Sequence, residues 1–184
     1  PDDKYIWYGL GEAQFHFMGE SKKSGSLASF ERAAALDPDF LLPYWHIFAV
    51  LWEEERTGEA IGRADKLLAA DPQNPLWYRF RAASVVYSGD VERARAAVAE
   101  AERHSPTAED RRDLYKVIAT AWGSLMYANL AEESLEKALE ADPGHDDPQV
   151  VKGLTEYLRM QHKFDEYEQR TRTLLAQSPD NDMY

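Results

Sequence analysis

The sequence predicts an all-α protein, an α-solenoid of about five helix-turn-helix repeats, and three observations predict it. Prolines preceded by Asp or Ser recur at Pro38, Pro72, Pro106, Pro143 and Pro179, at steps of 34, 34, 37 and 36 residues. A regular period in this range marks repeats that cannot bury an apolar face alone and so stack on their neighbours. Each period holds two helical stretches punctuated by Asn, Asp, Pro or Gly, and no stretch alternates with period two for long enough to be a strand. Finally, 184 residues, 44% hydrophobic and 29% charged, suit one domain or one elongated array with a sizeable core.

In order along one array spanning 1–184, the period places repeats at about 3–38, 39–72, 73–106, 107–143 and 144–179. The first repeat has a long connection, Gly19 to Ser26, rich in Ser, Lys and Gly. In the second, Pro43 sits in the first turn of a helix, where its missing N–H costs nothing. The nearly apolar run Phe40 to Trp52 has 13 residues, too few to span a bilayer. A helix over Phe40–Glu55 is apolar nearly all round, so something must cover its second side: a peptide, a partner helix, another copy or a further part of the polypeptide. In the third, Asn74 caps a helix opened by Pro75 and running to about Tyr87. Gly89 then turns the chain, and Asp90 caps a helix ending near His104. Extra residues, Thr107 to Arg111, precede the pattern of the fourth, and Asp147-Pro148 opens the fifth as Asn74-Pro75 opens the third.

The apolar pattern inside the repeats is specific. First helices carry large and small residues at fixed spacing: Trp7, Leu10 and Gly11; Tyr44, Ile47 and Leu51; Tyr78, Ala82 and Val85; Tyr115, Ile118, Ala119 and Trp122; Val151, Leu154, Thr155 and Leu158. Second helices carry Phe30 and Ala33 before Pro38, Ala94, Val98 and Ala101 before Pro106, and Ala131, Leu135 and Ala138 before Pro143. A small residue on one helix lets a large one on its partner sit in the groove at short interaxial distance. Over nearly its whole length the chain resembles the tetratricopeptide repeat family, in a bacterial-type form. It departs from that pattern at Phe48 and Leu67, where small residues are usual, and in its last repeat, with Tyr167, Thr171 and Leu174.

The resemblance implies a right-handed superhelix whose first helices line a concave face. Residues off the packing positions should point into it: Tyr5, Tyr8, Glu12, Phe15 and His16; Leu42, Trp45, His46, Ala49, Trp52 and Glu53; Leu76, Arg79, Phe80, Ala83 and Tyr87; then Lys116, Thr120, Gly123, Lys152, Glu156, Arg159 and Met160. Of 22 aromatic residues, 15 lie within 1–87, so the aromatic half is the candidate binding surface. Tyr8, Phe15, Trp45, His46, Trp52, Phe80 and Tyr87 are its candidate partner-binding residues. Trp45 and Trp52 lie seven apart on one helical face. Chaperone-binding members of the family hold a C-terminal carboxylate with Lys, Asn and Arg. The matching positions here, among them Tyr8, Glu12, His46, Leu76 and Phe80, lack that clamp.

Composition excludes other chemistry. A net charge of −12, with 21 basic against 33 acidic residues, disfavours nucleic acid and anionic membranes as partners. Without cysteine there is no disulfide, thiolate metal site or thiol nucleophile. Gly9-Leu10-Gly11 lies within a helix pattern and lacks a third glycine, so it is no phosphate loop. The five histidines show no ligand spacing. His16 and His46 fall on different helices, at different expected heights, so no metal site and no cofactor are expected. Glu53-Glu54-Glu55 ends a helix where the macrodipole disfavours acid, which hints at a basic partner. No Ser/His/Asp set, no paired catalytic carboxylates and no Asn-x-Ser/Thr site occur, so the chain does not read as an enzyme.

The leading expectation is a protein-interaction scaffold that takes a peptide or helix of a partner protein in an aromatic concave groove. A second is one region of a larger bacterial signalling protein, which Trp7–Glu12 and Phe30–Ala33 loosely resemble. A third is self-assembly into a dimer or filament, since the first helix is aromatic and residues 178–184 are too few for a capping helix. No leader follows Pro1-Asp2-Asp3 in these residues, and cytoplasmic and exported locations both stay open.

Overall fold

A computed structural model describes residues 2–17, 20–141 and 147–177, excluding the side chains of residues 20–24 and 174–177. Pro1, Asp142-Pro143, His145 and the tail 178–184, each singled out above, lie outside the described residues. Ten helices occur among the described residues and no strand: α1 (Lys4–Phe17), α2 (Glu20–Leu36), α3 (Leu42–Glu53), α4 (Thr57–Ala70), α5 (Pro75–Tyr87), α6 (Val91–Arg103), α7 (Ala108–Ser124), α8 (Ala128–Ala141), α9 (Pro148–Met160) and α10 (Phe164–Gln177). None is long and apolar enough to cross a membrane. The chain divides into two compact units, residues 1–63 and 64–184, with the division inside α4. In the first, α1 packs on α2 and α2 on α3. In the second, α5 packs on α6 and α7, α7 on α8, α8 on α9 and α9 on α10.

Local chemistry sets the helix starts. The Asn74 side chain accepts from the Leu76 N–H at 3.1 Å, and Asp90 accepts from the Arg93 N–H at 3.1 Å. Each satisfies a helix N–H that has no intrahelical acceptor. Asp147 accepts from the Gln149 N–H at 2.9 Å and also pairs with Lys116 of α7. The extra residues of the fourth repeat extend a helix: Thr107 and Asp110 form a reciprocal capping box and start a 17-residue α7. The long first connection is not a loop over its described part, because α2 begins at Glu20. Ser26, Leu27, Ser29 and Phe30 are all buried, and burying that face outweighs the weak helix preference of Ser and Gly.

The turns share one geometry. Glu55, Gly89, Met126 and His162 all have positive φ (58°, 79°, 64° and 58°), so each is the left-handed residue closing a helix hairpin. Only Gly89 takes that conformation without a Cβ penalty.

Packing follows the small-to-large logic. A Cβ placed on Gly11 would lie 2.6–2.9 Å from the Phe30 ring, which is 0% exposed. Gly9, earlier on the same helix, has open space around its Cβ position. In the second unit Tyr115, Ala119, Leu135, Ala138, Val150 and Leu154 form one core cluster. Gly153 admits Leu135, whose Cδ1 would lie 2.6 Å from an added Cβ. Apolar α3 finds its cover within the chain: Pro43, Ile47, Phe48, Val50 and Leu51 are buried, Tyr44 to His46, Ala49 and Trp52 are half-buried, and Leu42 and Glu53 are exposed. No outside partner is needed to explain that helix.

Two stability predictions result. Gly11→Ala forces the enclosed Phe30 ring to move and should cost about 1–3 kcal/mol, whereas Gly9→Ala should stabilise by about 0.5–1 kcal/mol. Opposite shifts of the urea midpoint check the pair. At the turns, Met126→Gly should stabilise and Gly89→Ala destabilise, each by about 1 kcal/mol, read in the same denaturation experiment.

Candidate functional site

Within the first unit, one face of α1 and one residue of α3 assemble a polar cluster inside an aromatic frame. Tyr8, Glu12 and His16 lie four residues apart, so the helical repeat stacks them on one face. Pro43 and Leu42 start α3 so that His46 falls in its first full turn. Phe30 of α2 forms the floor: its ring stacks on the His46 imidazole at 4.6 Å and 12°. Phe15 closes another side, 5.4 Å from His46 and 4.9 Å from His16. Tyr8 and Phe40 meet edge to face at 5.4 Å.

At the centre, Glu12 Oε1 lies 2.7 Å from His46 Nε2, and Glu12 Oε2 lies 3.8 Å from His16 Nε2. The Tyr8 hydroxyl is 3.3 Å from His46 Nε2. The His16 and His46 rings are 5.8 Å apart at 89°. Burial pulls the His46 imidazole below its usual pKa, opposing the upward pull of Glu12, and His16 acts in the same lowering sense. Burial and the Glu12 charge both push the Tyr8 phenol up.

The structure brings Tyr8, Phe15 and His46 together as one cluster. Trp45 and Trp52 are half-buried on the same α3, with the Trp52 ring 5.9 Å from that of buried Phe48. Phe80 does not reach a surface: it is 0% exposed, its ring 6.2 Å from that of Trp77. Leu76, Arg79 and Ala83, expected to face a groove with it, are buried as well. Arg79 explains the difference, because the lengthened α7 places Asp113 and Asp110 at 3.5 and 3.8 Å from its guanidinium. Burial draws that guanidinium below its usual pKa, and the two aspartates oppose this. Tyr87 stays half-buried at the end of α5.

The more polar positions of the second unit are largely occupied. Lys116 pairs with Asp147, Glu156 pairs with Arg159, and Gly123 lies under the Tyr157 hydroxyl. The acidic run on α3 is also resolved: Glu54 pairs with Arg56 at 2.7 Å, and Glu55 is the turn residue. Its place at a helix end thus needs no basic partner.

Sequence reasoning placed Glu12, His16 and His46 on the groove face but missed their convergence. Their ligand atoms all lie within 4.8 Å of one another, not at separate heights. The four-residue step from Glu12 to His16 was a visible signal. The closeness of His46 to both was not, because it depends on how α3 is packed.

Compared by sequence, the chain matches no family model and no curated protein. By structure it is similar to several solved repeat proteins. A thermophilic tetratricopeptide-repeat protein from Thermus thermophilus aligns with a TM-score of 0.63 at 21% identity, covering 98% of this chain and 94% of that one. PilF of Pseudomonas aeruginosa aligns with a TM-score of 0.55 at 17% identity, covering 97% and 78%. A segment of MamA from Desulfovibrio magneticus RS-1 gives 0.52 at 12% identity, covering 99% and 98%.

Proposed function

We propose that this chain, which has the fold of tetratricopeptide-repeat proteins, is a protein-interaction scaffold that seats a peptide or helix of a partner against the aromatic side chains of α1 and α3. The fold supports the general reading, since such repeats are built to present surface rather than to enclose a substrate. One observation carries the specific one. Tyr8, Phe15, Trp45, His46 and Trp52 are each held partly in the fold and partly in solvent. Tyr8, Phe15 and His46 are braced by Phe30, and Trp52 by Phe48. Aromatic rings fixed on one side and open on the other lose little entropy on binding and dominate recognition energetics. Phe80, being enclosed, has no part in this reading, and Tyr87, half-buried on α5 of the second unit, is a separate candidate.

A second reading is favoured by the opposite side of α1. Ile6, Leu10 and Phe17 are exposed there, Phe17 to 85%, and their spacing puts them on one stripe. A stripe of that kind suits association with another copy of the chain.

Peptides selected from a random display library should bind the intact protein through the first surface. Trp45→Ala and Trp52→Ala should each weaken them at least about tenfold, measured by fluorescence anisotropy. Unchanged affinity in both variants rules out the aromatic site. For the second surface, light scattering over a concentration series should show a mass rising above 21.0 kDa. Leu10→Glu should return it to the monomer value, and a constant mass in the parent chain ends that reading.

A further inference from the structure

We propose that Glu12, His16 and His46 bind one divalent transition-metal ion of the zinc class, anchoring α1 to α3. The inference is independent of the scaffold reading and uses a different property of the same region, its partly buried polar centre rather than its aromatic rim.

The donor set comes first. Two imidazole nitrogens and one carboxylate oxygen suit zinc and its borderline neighbours. Calcium and magnesium, which require mostly oxygen ligands, are poorly matched. Geometry comes second. Around a tetrahedral zinc, ligand atoms at ordinary bond lengths stand about 3.3 Å apart. Glu12 Oε1 lies 2.7 Å from His46 Nε2 and Glu12 Oε2 lies 3.8 Å from His16 Nε2, on either side of that spacing, and one ligand atom from each of the three residues falls within 4.8 Å of the others.

Pre-organisation comes third. The helical step fixes Glu12 beneath His16, and stacking on Phe30 fixes the His46 ring. Metal ligands held by packing cost less to order. The fourth argument is an unmet need. Glu12 Oε1 is fully buried and no hydrogen bond of acceptable geometry reaches it, although His46 Nε2 stands only 2.7 Å away. A buried carboxylate oxygen left without a partner is costly. A proton on His46 Nε2 or a cation held by both atoms would meet that need, and the cation also takes in His16. Access is provided by His16, whose side chain is 48% exposed. Three protein ligands leave a further coordination position on that side for water.

The test uses the full chain, cleared of metal with a chelator, and zinc chloride as the probe. Calorimetry should show one zinc per chain with a dissociation constant below about 10 µM. The thermal midpoint should rise with zinc, because the ion binds the folded state. His16→Ala, at the exposed edge where folding is undisturbed, and Glu12→Gln should each weaken binding at least about tenfold. His162→Asn, at a turn of the second unit, should not. Long-range nitrogen-15 NMR should show the ring nitrogens of His16 and His46 shifting together with zinc, a signature that does not depend on a variant. No zinc binding by the parent chain overturns the proposal. So does binding that His16→Ala and Glu12→Gln leave unchanged, or that moves only the other histidine signals.

Discussion

The enclosed Phe30 ring is the contact on which the first unit depends. Gly11 lets α1 approach α2 until no room for a Cβ remains between them. The ring so trapped offers its other face to His46, which orients α3 by stacking. Tyr8 and Phe15 pack around its edges. A single missing side chain on α1 therefore sets the spacing of three helices. The juxtaposition of Glu12, His16 and His46 is a by-product of that spacing.

The second unit solves its packing differently. Its small positions include the buried alanines Ala94, Ala101, Ala131 and Ala138 beside Gly153, and charged residues bridge alternate helices. Arg79 reaches the aspartates of α7. Lys116 reaches the cap of α9. Lys163, just before α10, reaches buried Glu132 of α8 at 2.8 Å. Paired this way, the charges satisfy groups that burial would otherwise penalise, and they fix register more than they add stability.

Much of this was legible in the sequence, and the legible part was local. Asn74, Asp90 and Asp147 were readable as caps because capping involves residues two or three positions away. The Pro period was readable because stacking repeats impose it. What depended on neighbouring helices was not. The connection after α1 read as a loop from its Ser, Lys and Gly content, yet the buried face from Ser26 to Phe30 makes its described part, from Glu20 on, helix. Phe80 read as surface because its position faces a groove in a regular repeat, but the extra turn of α7 brings Asp110 and Asp113 over that face. In the cluster of Glu12, His16 and His46, the last member is distant in sequence from the other two, and only the closeness of α1 and α3 unites them.

The turns carry one more consequence, and it concerns the order of events. Three of the four described hairpin turns place Glu55, Met126 or His162 in a left-handed conformation, which such residues adopt only when surrounding structure over-determines it. Closing those turns costs free energy before helix packing returns it. The α5–α6 hairpin has Gly89 at the bend, Asn74 and Asp90 at its two helix starts, and a nearly fully buried first helix. A repeat array can begin folding at any unit. The cheapest nucleus in this one is then α5–α6, with later hairpins closing against a surface that is already formed.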